Sequence, residues 1–597
     1  MLASYSFSQT GREDQVALDS LLEVGNHFLI AGKPDSARSV YRMVLSHNWK
    51  PRMARIGLVE ASIMKEDWVE GSDICGDMLD ASKEDMQAHY YAGICRREEG
   101  YLKDAANHFQ SVLSRDSLYR DVLYQYALVC EYDDNFDQAL NLGLRQVRLH
   151  PDSVAAQIGL IRIFRHYISV TEYEEALESL RGLPDHYSEY FVGELLRRHT
   201  RYHEAAEILD RCRKTSTFFI QACCLSLARI HTELGDDSTA EALYWEGVGS
   251  ITNASGSAVV FDDLKYIISD RELEQYRELP SEESRIKFFH RFWEIRNPMP
   301  TSSGNARLVE HFRRFVRAER EYEYYGNRSR FRNPDQLIRV ALPRSFSLNR
   351  EFNDKGMIYI RQGPPDEVQT SPRVIAAESS SPPSGPRDPN VKLIESTLAH
   401  PYESWLYHGF GATPASIFIF DCQGTTENYW TLTSVPSSAV MIQKLSLWDV
   451  RYSQLSSPEV AADVELQLRE TAITGLTTDR HTWKPETKQF TVPHAIDAFR
   501  AGNGKTLLDI SYAIPLEQLA EAMVDSSSWI ELRVGLSIMS FSEQKTEHEW
   551  DSLRLPLTRQ SKGSYISLFR KVRVRILSAL PWTCVHCGID WSEPGSS

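Results

Sequence analysis

The first 250 residues alternate helix-forming apolar stretches with short polar turns, and small residues recur at fixed places in that pattern. Ala37, Gly71, Ala105 and Ala139 each follow the last by 34 positions. The frame continues at Ala176, Ala205 and Ala240 with spacings of 37, 29 and 35, which makes seven repeats. Twelve residues before this anchor stands a second small residue in five of the seven: Gly25, Gly93, Ala127, Gly193 and Ala228. Four residues after it stands a mostly large or apolar one, Tyr41, Cys75, Phe109, Leu180, Leu209 or Tyr244, with Gly143 the exception. Small residues let two helices approach closely, and the bulky residue one turn later fills the space between neighbours. Turns are expected at 31–35, 99–101 and 133–135, with Pro51 and Pro151 punctuating the links between pairs.

This period and its small-residue pattern resemble the tetratricopeptide repeat. The resemblance implies stacked helix pairs forming a superhelix whose first helices line a concave, partner-binding face. Its groove residues would be Asn26, Tyr90, Arg97, Tyr124, Tyr190, Arg197 and Arg229. Tyrosine and arginine suit that role because each combines contact area with a polar tip. The expected partner is a protein or peptide.

From Val259 the rhythm stops. Ser281 reads as the N-cap of an aromatic-rich helix carrying Ile286, Phe288, Phe289 and Phe292. The segment Phe292-Trp293-x-x-Arg296-Asn297-Pro298-x-Pro300-Thr301 resembles a signature of the bacterial GWxTD-domain family. Further pieces follow in that family's order: Arg313, Arg317 and Ala318; then Asp354 to Ile360 with Gly363-Pro364-Pro365-Asp366; then 402–407 and 417–421, expected as strands. The match runs from Val259 to Leu432, but 350–354 reads Arg-Glu-Phe-Asn-Asp, so the family's Gly-Trp pair is absent. Members commonly join this domain to helical repeats, often in exported proteins, and the family implies no established reaction.

Read from the residues alone, Met357 to Arg361 is a short strand entering a Gly-Pro-Pro-Asp turn. Trp293, Arg296, Arg313, Arg317, Asp354, Gly356, Tyr359, Gly363, Asp366 and Trp405 would form either a ligand site or a structural ion-pair network. A rival enzymatic reading makes Asp354 and Asp366 acid and base, with the arginines holding an anion. Residues 371–389, rich in serine and proline, read as an insertion loop.

Beyond Val435, strand-like runs at 464–468, 507–514, 529–538 and 565–576 predict a β-rich, sandwich-like end, followed by a tail after Lys571 of different character. The expected architecture is multidomain: a tail at 1–15, an all-α tetratricopeptide superhelix at 16–250, an α+β GWxTD-type domain at 251–435, and a β-rich domain with its tail at 436–597.

Candidate chemistry adds little. Gly502-Asn503-Gly504-Lys505-Thr506 lacks the first P-loop glycine, Phe499 standing in its place, and reads as a hairpin turn. His199 and His203 lack the intervening glutamate of a zinc-protease helix, and Cys584-Val585-His586-Cys587 has no second knuckle, so neither metal nor cofactor is expected. Nine cysteines, including adjacent Cys223 and Cys224, form no secreted-scaffold pattern. A net charge of -16 disfavours nucleic acid, and no run of about 20 apolar residues is present. Met1 to Gln9 do not read as a signal peptide, which suggests the cytoplasm, or the envelope if a leader precedes them.

Overall fold

A computed structural model describes residues 13–47, 51–216, 218–297, 304–325, 343–371, 401–408, 415–422, 428–436 and 438–477, together with the strands 494–500, 506–515, 529–540, 545–556, 565–574 and 585–591. Seven helix pairs come first. They are α1 (Glu13–Ile30) with α2 (Pro34–Ser46), α3 (Pro51–Met64) with α4 (Trp68–Ala81), α5 (Met86–Glu98) with α6 (Leu102–Leu113), and α7 (Val122–Tyr132) with α8 (Phe136–Leu149). Three more follow: α9 (Val154–Val170) with α10 (Tyr173–Arg181), α11 (Asp185–Arg198) with α12 (Tyr202–Thr215), and α13 (Ile220–Glu233) with α14 (Asp237–Gly249).

The repeat rule has a direct steric basis. All seven anchors, Ala37 through Ala240, are buried, and each is the fourth residue of the second helix of its pair. The preceding small residues face the bulky ones: a Cβ on Gly25 would lie 2.7 Å from Tyr41, one on Gly93 2.6 Å from Phe109, and one on Gly193 2.7 Å from Leu209. Between the helices the chain reverses through a left-handed residue five positions before the anchor. Gly32, Glu66, Gly100, Asp134, Thr200 and Gly235 have φ between 56° and 87°. Several second helices then start from a capping side chain, Asp67, Asn135 or Asp236, that accepts a backbone N–H of the first turn.

The chain continues through α15 (Ala254–Leu264), α16 (Asp270–Glu278), α17 (Glu282–Arg296), α18 (Ala306–Glu321), α19 (Arg344–Leu348) and α20 (Asp354–Gln362). A four-stranded antiparallel sheet in sequential order follows, β1 (Glu367–Thr370), β2 (Tyr402–Tyr407), β3 (Ser416–Cys422) and β4 (Trp430–Thr433), with Trp405 opposite Phe418. Ser281 caps α17 as expected. The insertion at 371–389 lies outside the described residues apart from Ser371, as do residues 1–12 of the tail.

Two expected strands are helices. Residues 357–361 lie inside α20, where the Asn353 side chain accepts the Gly356 N–H at 3.0 Å and Gly363, at φ +81°, ends the helix. Its apolar residues imitate a strand because α20 is buried on more than one side, so neither helical nor two-residue alternation is visible. Residues 464–468 lie inside α23. After β4 come α21 (Ala439–Leu445), α22 (Arg451–Gln454) and α23 (Ala461–Thr477), so the stretch read as β-rich opens with helices. Val464, Leu468, Ala472 and Leu476 are buried at spacings of four while Leu466 is exposed, a pattern that five residues are too short to reveal.

The remaining strands are β5 (His494–Arg500), β6 (Thr506–Pro515), β7 (Trp529–Ser540), β8 (Lys545–Pro556), β9 (Tyr565–Val574) and β10 (Val585–Trp591), paired as β5-β6-β9 and β10-β7-β8. Arg500 stands opposite Thr506 in an antiparallel pair; the glycine-rich residues 502–505 between them lie outside the described residues.

Candidate partner-binding cleft

The concave face of the later repeats is filled by the chain itself. Phe289, Phe292 and Trp293 of α17 and Phe312 and Phe315 of α18 join one continuous core with residues of α7 to α14, and charged groups close around it. Arg197 donates to Glu194 at 2.6 Å and to Glu319 of α18 at 2.9 Å; Arg198 donates to Glu323 at 2.7 Å; the Ser226 hydroxyl donates to Glu194 at 2.7 Å. Burial pushes the Glu194 and Glu319 carboxyls up, and Arg197 and Arg198 more than reverse this, holding both below the usual range. Glu323 is less compensated, and burial leaves it raised.

Two further clusters seal the inner side. Arg229 pairs with Asp263 and lies 3.9 Å from the centroid of the Phe315 ring, while His311 Nε2 meets Asp263 at 3.0 Å. Glu351 accepts from Lys265 at 3.0 Å and from the Tyr266 hydroxyl at 2.9 Å. Phe352, beside it, is buried against Tyr266 and Phe315, so Glu351 and Phe352, at the departure from the family pattern, are core residues here.

Among the described residues a cleft of about 900 Å³ lies between the C-terminal ends of α7, α9 and α11 and the chain leaving α18. Its repeat wall carries Glu131, Phe136, His166, Arg198 and Tyr202, and its opposite wall Glu319, Arg320, Glu323 and Tyr325. His166 is held on two sides: its Nδ1 lies 3.0 Å from Glu131, which also accepts from Arg162 at 3.1 Å, and its ring stacks on Tyr325 at 4.5 Å. Asn428, just before β4, closes the back by donating to the Glu323 carbonyl at 3.0 Å. At the mouth, Asp134, His199 and Arg320 remain exposed. The accessible part of the lining thus combines the partly exposed rings of Phe136 and Tyr202 with charges of both signs on Asp134 and Arg320, chemistry suited to a polypeptide segment.

The expected groove residues divide accordingly. Only Asn26, which accepts from the Tyr41 hydroxyl at 2.7 Å, is exposed; Tyr124 is half-buried, its ring against Gly159. Tyr90, Arg97, Tyr190, Arg197 and Arg229 are buried, so the expectation that they line an open face is corrected. Tyr90 bonds Asp121, Arg97 donates to Gln125 at 2.6 Å, and Tyr190 stacks on Phe219 at 4.5 Å. Of these only Arg197 borders the cleft.

The ten residues of the middle segment do not converge on one site. Trp293 donates to Tyr244 at 2.8 Å, Arg296 to Glu272 at 2.8 Å and Arg313 to Asp237 at 2.7 Å, while Arg317 pairs with Glu321 at 2.5 Å. Tyr359 and Trp405 gather with Tyr322, and a Cβ on Gly356 would lie 2.9 Å from that tyrosine. Asp354 accepts the Leu432 N–H at 2.7 Å, and Asp366 accepts the His408 N–H at 2.7 Å, so the carboxylates join backbone elements. At Gly363 a side chain would meet the Arg314 guanidinium at 3.0 Å, and Arg314 donates to the Arg361 carbonyl at 2.9 Å. His199 caps α11 against the Tyr173 ring, and His203 is exposed on α12.

Sequence reasoning missed Glu131, Arg162, His166, Glu194, Arg198, Glu319, Glu323 and Tyr325. One signal was present: Arg97, Glu131 and Arg165 are spaced by 34, a charge repeated at one place on successive first helices. Their partners in α18 and at 323–325 follow no period.

No protein-family model matches the chain, and no curated protein is similar to it. Among solved structures it is similar to PilF of Pseudomonas aeruginosa, with 16% identity over 42% of this chain and 97% of that one and a TM-score of 0.27. A tetratricopeptide repeat protein from Parabacteroides merdae shares 14% identity over 50% and 98% at 0.26, and the apo form of RapI 14% over 51% and 97% at 0.26. Likeness at these scores says nothing of activity or partner. The internal geometry of the seven pairs identifies a helical, tetratricopeptide-like superhelix, followed by a small antiparallel sheet.

Proposed function

We propose that this chain is a protein-interaction scaffold that receives a partner segment at the cleft between its repeat superhelix and the chain following α18. The observation that carries this reading is the cleft itself. Among the described residues it is a recess beside the later repeats that α17 and α18 fill, and its walls are preorganised by buried ion pairs. A fixed wall lowers the ordering cost of binding. The segment 259–432 is read as a GWxTD-like domain that shapes this cleft, and the β strands beyond 494 supply a second binding or anchoring surface. An acid–base role for Asp354 and Asp366 is not favoured, because each carboxylate accepts a backbone N–H of the sheet region.

The test uses the intact chain beside Asp134→Asn/Val170→Lys, a change confined to exposed residues of the cleft lining. Partners retained from a lysate by the parent should be lost by the variant while both show the same unfolding temperature. Equal retention would refute the cleft as the working surface.

A further inference from the structure

His89 of α5 and His108 of α6 face each other across the third helix pair, their Nδ1 atoms 2.9 Å apart and their ring centroids 5.2 Å apart. At that distance one nitrogen donates and the other accepts. His89 Nε2 lies 3.0 Å from the Lys83 carbonyl oxygen, a contact that requires hydrogen on Nε2. Neutral His89 therefore keeps a lone pair on Nδ1, and His108 Nδ1 is the donor.

Neutral imidazole is a common metal ligand, and a ligating histidine usually gives its other N–H to a carbonyl or carboxylate, as His89 does to Lys83. With bonds of about 2.0 Å, two nitrogens at right angles around an ion stand about 2.8 Å apart, whereas a tetrahedral ion spreads them to about 3.3 Å. The observed 2.9 Å is set by the hydrogen bond between the rings, and a few tenths of an ångström of movement reach either arrangement. We propose that His89 and His108 form a two-imidazole site for a divalent transition-metal ion, copper(II) foremost because nitrogen ligands bind it most tightly in the first-row series, with water completing the coordination. His108 need only move its hydrogen from Nδ1 to Nε2 to present the second lone pair. Asp104, one turn before His108, adds an attractive charge, and Arg96 opposes it. Among the described residues no group of three donors converges, so this is a chelating pair and not a closed structural centre. A bound ion would cross-link α5 to α6.

The full chain is titrated with copper(II) chloride by calorimetry, beside His89→Asn, His108→Asn and the comparator His199→Asn/His203→Asn. One saturable equivalent is expected, weakened at least about tenfold in either single variant and unchanged in the comparator. An isotherm that survives both single substitutions, or no saturable binding, overturns the site. Should the single variants fail to fold, the copper resonance spectrum of the comparator His199→Asn/His203→Asn decides: splitting from two imidazole nitrogens, unchanged from the parent, supports the pair, and its absence overturns it.

Discussion

The two halves of the superhelix obey one repeat rule and have different surroundings. The pairs from α7 to α14 share a continuous core with α17, α18, α20 and the sheet, reaching as far as Leu476 of α23. The pairs α1 to α6 rest on two smaller clusters, one around Tyr41 and one around Tyr90 and Phe109. A solenoid repeat is stabilised by itself and its neighbours, so the early repeats have what neighbours provide and the late ones have a second body as well. The lesson is that a concave face is a binding surface only where nothing of the chain's own lies on it. Hydrogen exchange should accordingly be faster in α1 to α4 than in α11 to α14.

The sharpest way to break this contrast is Glu319→Ala, which leaves Arg197 and Arg198 buried without their α18 carboxylate. A loss of about 3–5 kcal/mol is expected from denaturant unfolding. Exchange should rise in α11 to α13 and stay unchanged in α1 to α4; an equal rise in both halves would mean that the cores are not separate. Gly93→Val tests the early half, since its Cβ would meet Phe109 at 2.6 Å. It should cost about 1–3 kcal/mol, with part recovered by adding Phe109→Leu.

A third handle is acid. Burial raises the Glu351 carboxyl, and Lys265 and Arg162 bring it down to about 2 from an ordinary 4.5. A carboxyl depressed in the folded state stabilises fully above its unfolded value and loses that contribution as pH falls toward the folded one. The late half should therefore weaken between about pH 4.5 and about pH 2, and Glu351→Gln should flatten that limb of the stability profile. The smallest effect is at a turn: Thr200, β-branched with φ +59°, holds a place that Gly100 fills in the third pair. Thr200→Gly should raise stability by about 0.5–1 kcal/mol in thermal unfolding, and Gly100→Ala should lower it by a similar amount.

The early half was almost entirely legible. Gly25, Gly93 and Gly193 could be assigned to close helix contacts because their partners Tyr41, Phe109 and Leu209 lie 16 residues further along in each case. The site was legible only in fragments. Tyr90, Tyr190 and Arg229 were recognisable as first-helix residues on the groove side, but whether water or the chain itself would meet them was not. Residues 357–361 were misread because a helix buried on several sides loses the amphipathic signal that distinguishes it from a strand.

By itself the sequence determined the repeat count, the helix pairing and the turn positions, since each depends on contacts within one or two repeats that recur with a readable period. Tertiary structure alone decided which part of the concave face α17 and α18 cover. That choice rests on single pairings between residues more than a hundred positions apart, Arg197 with Glu319 and Arg198 with Glu323, whose charges are visible in the chain but whose meeting depends on where α18 is carried by the fold.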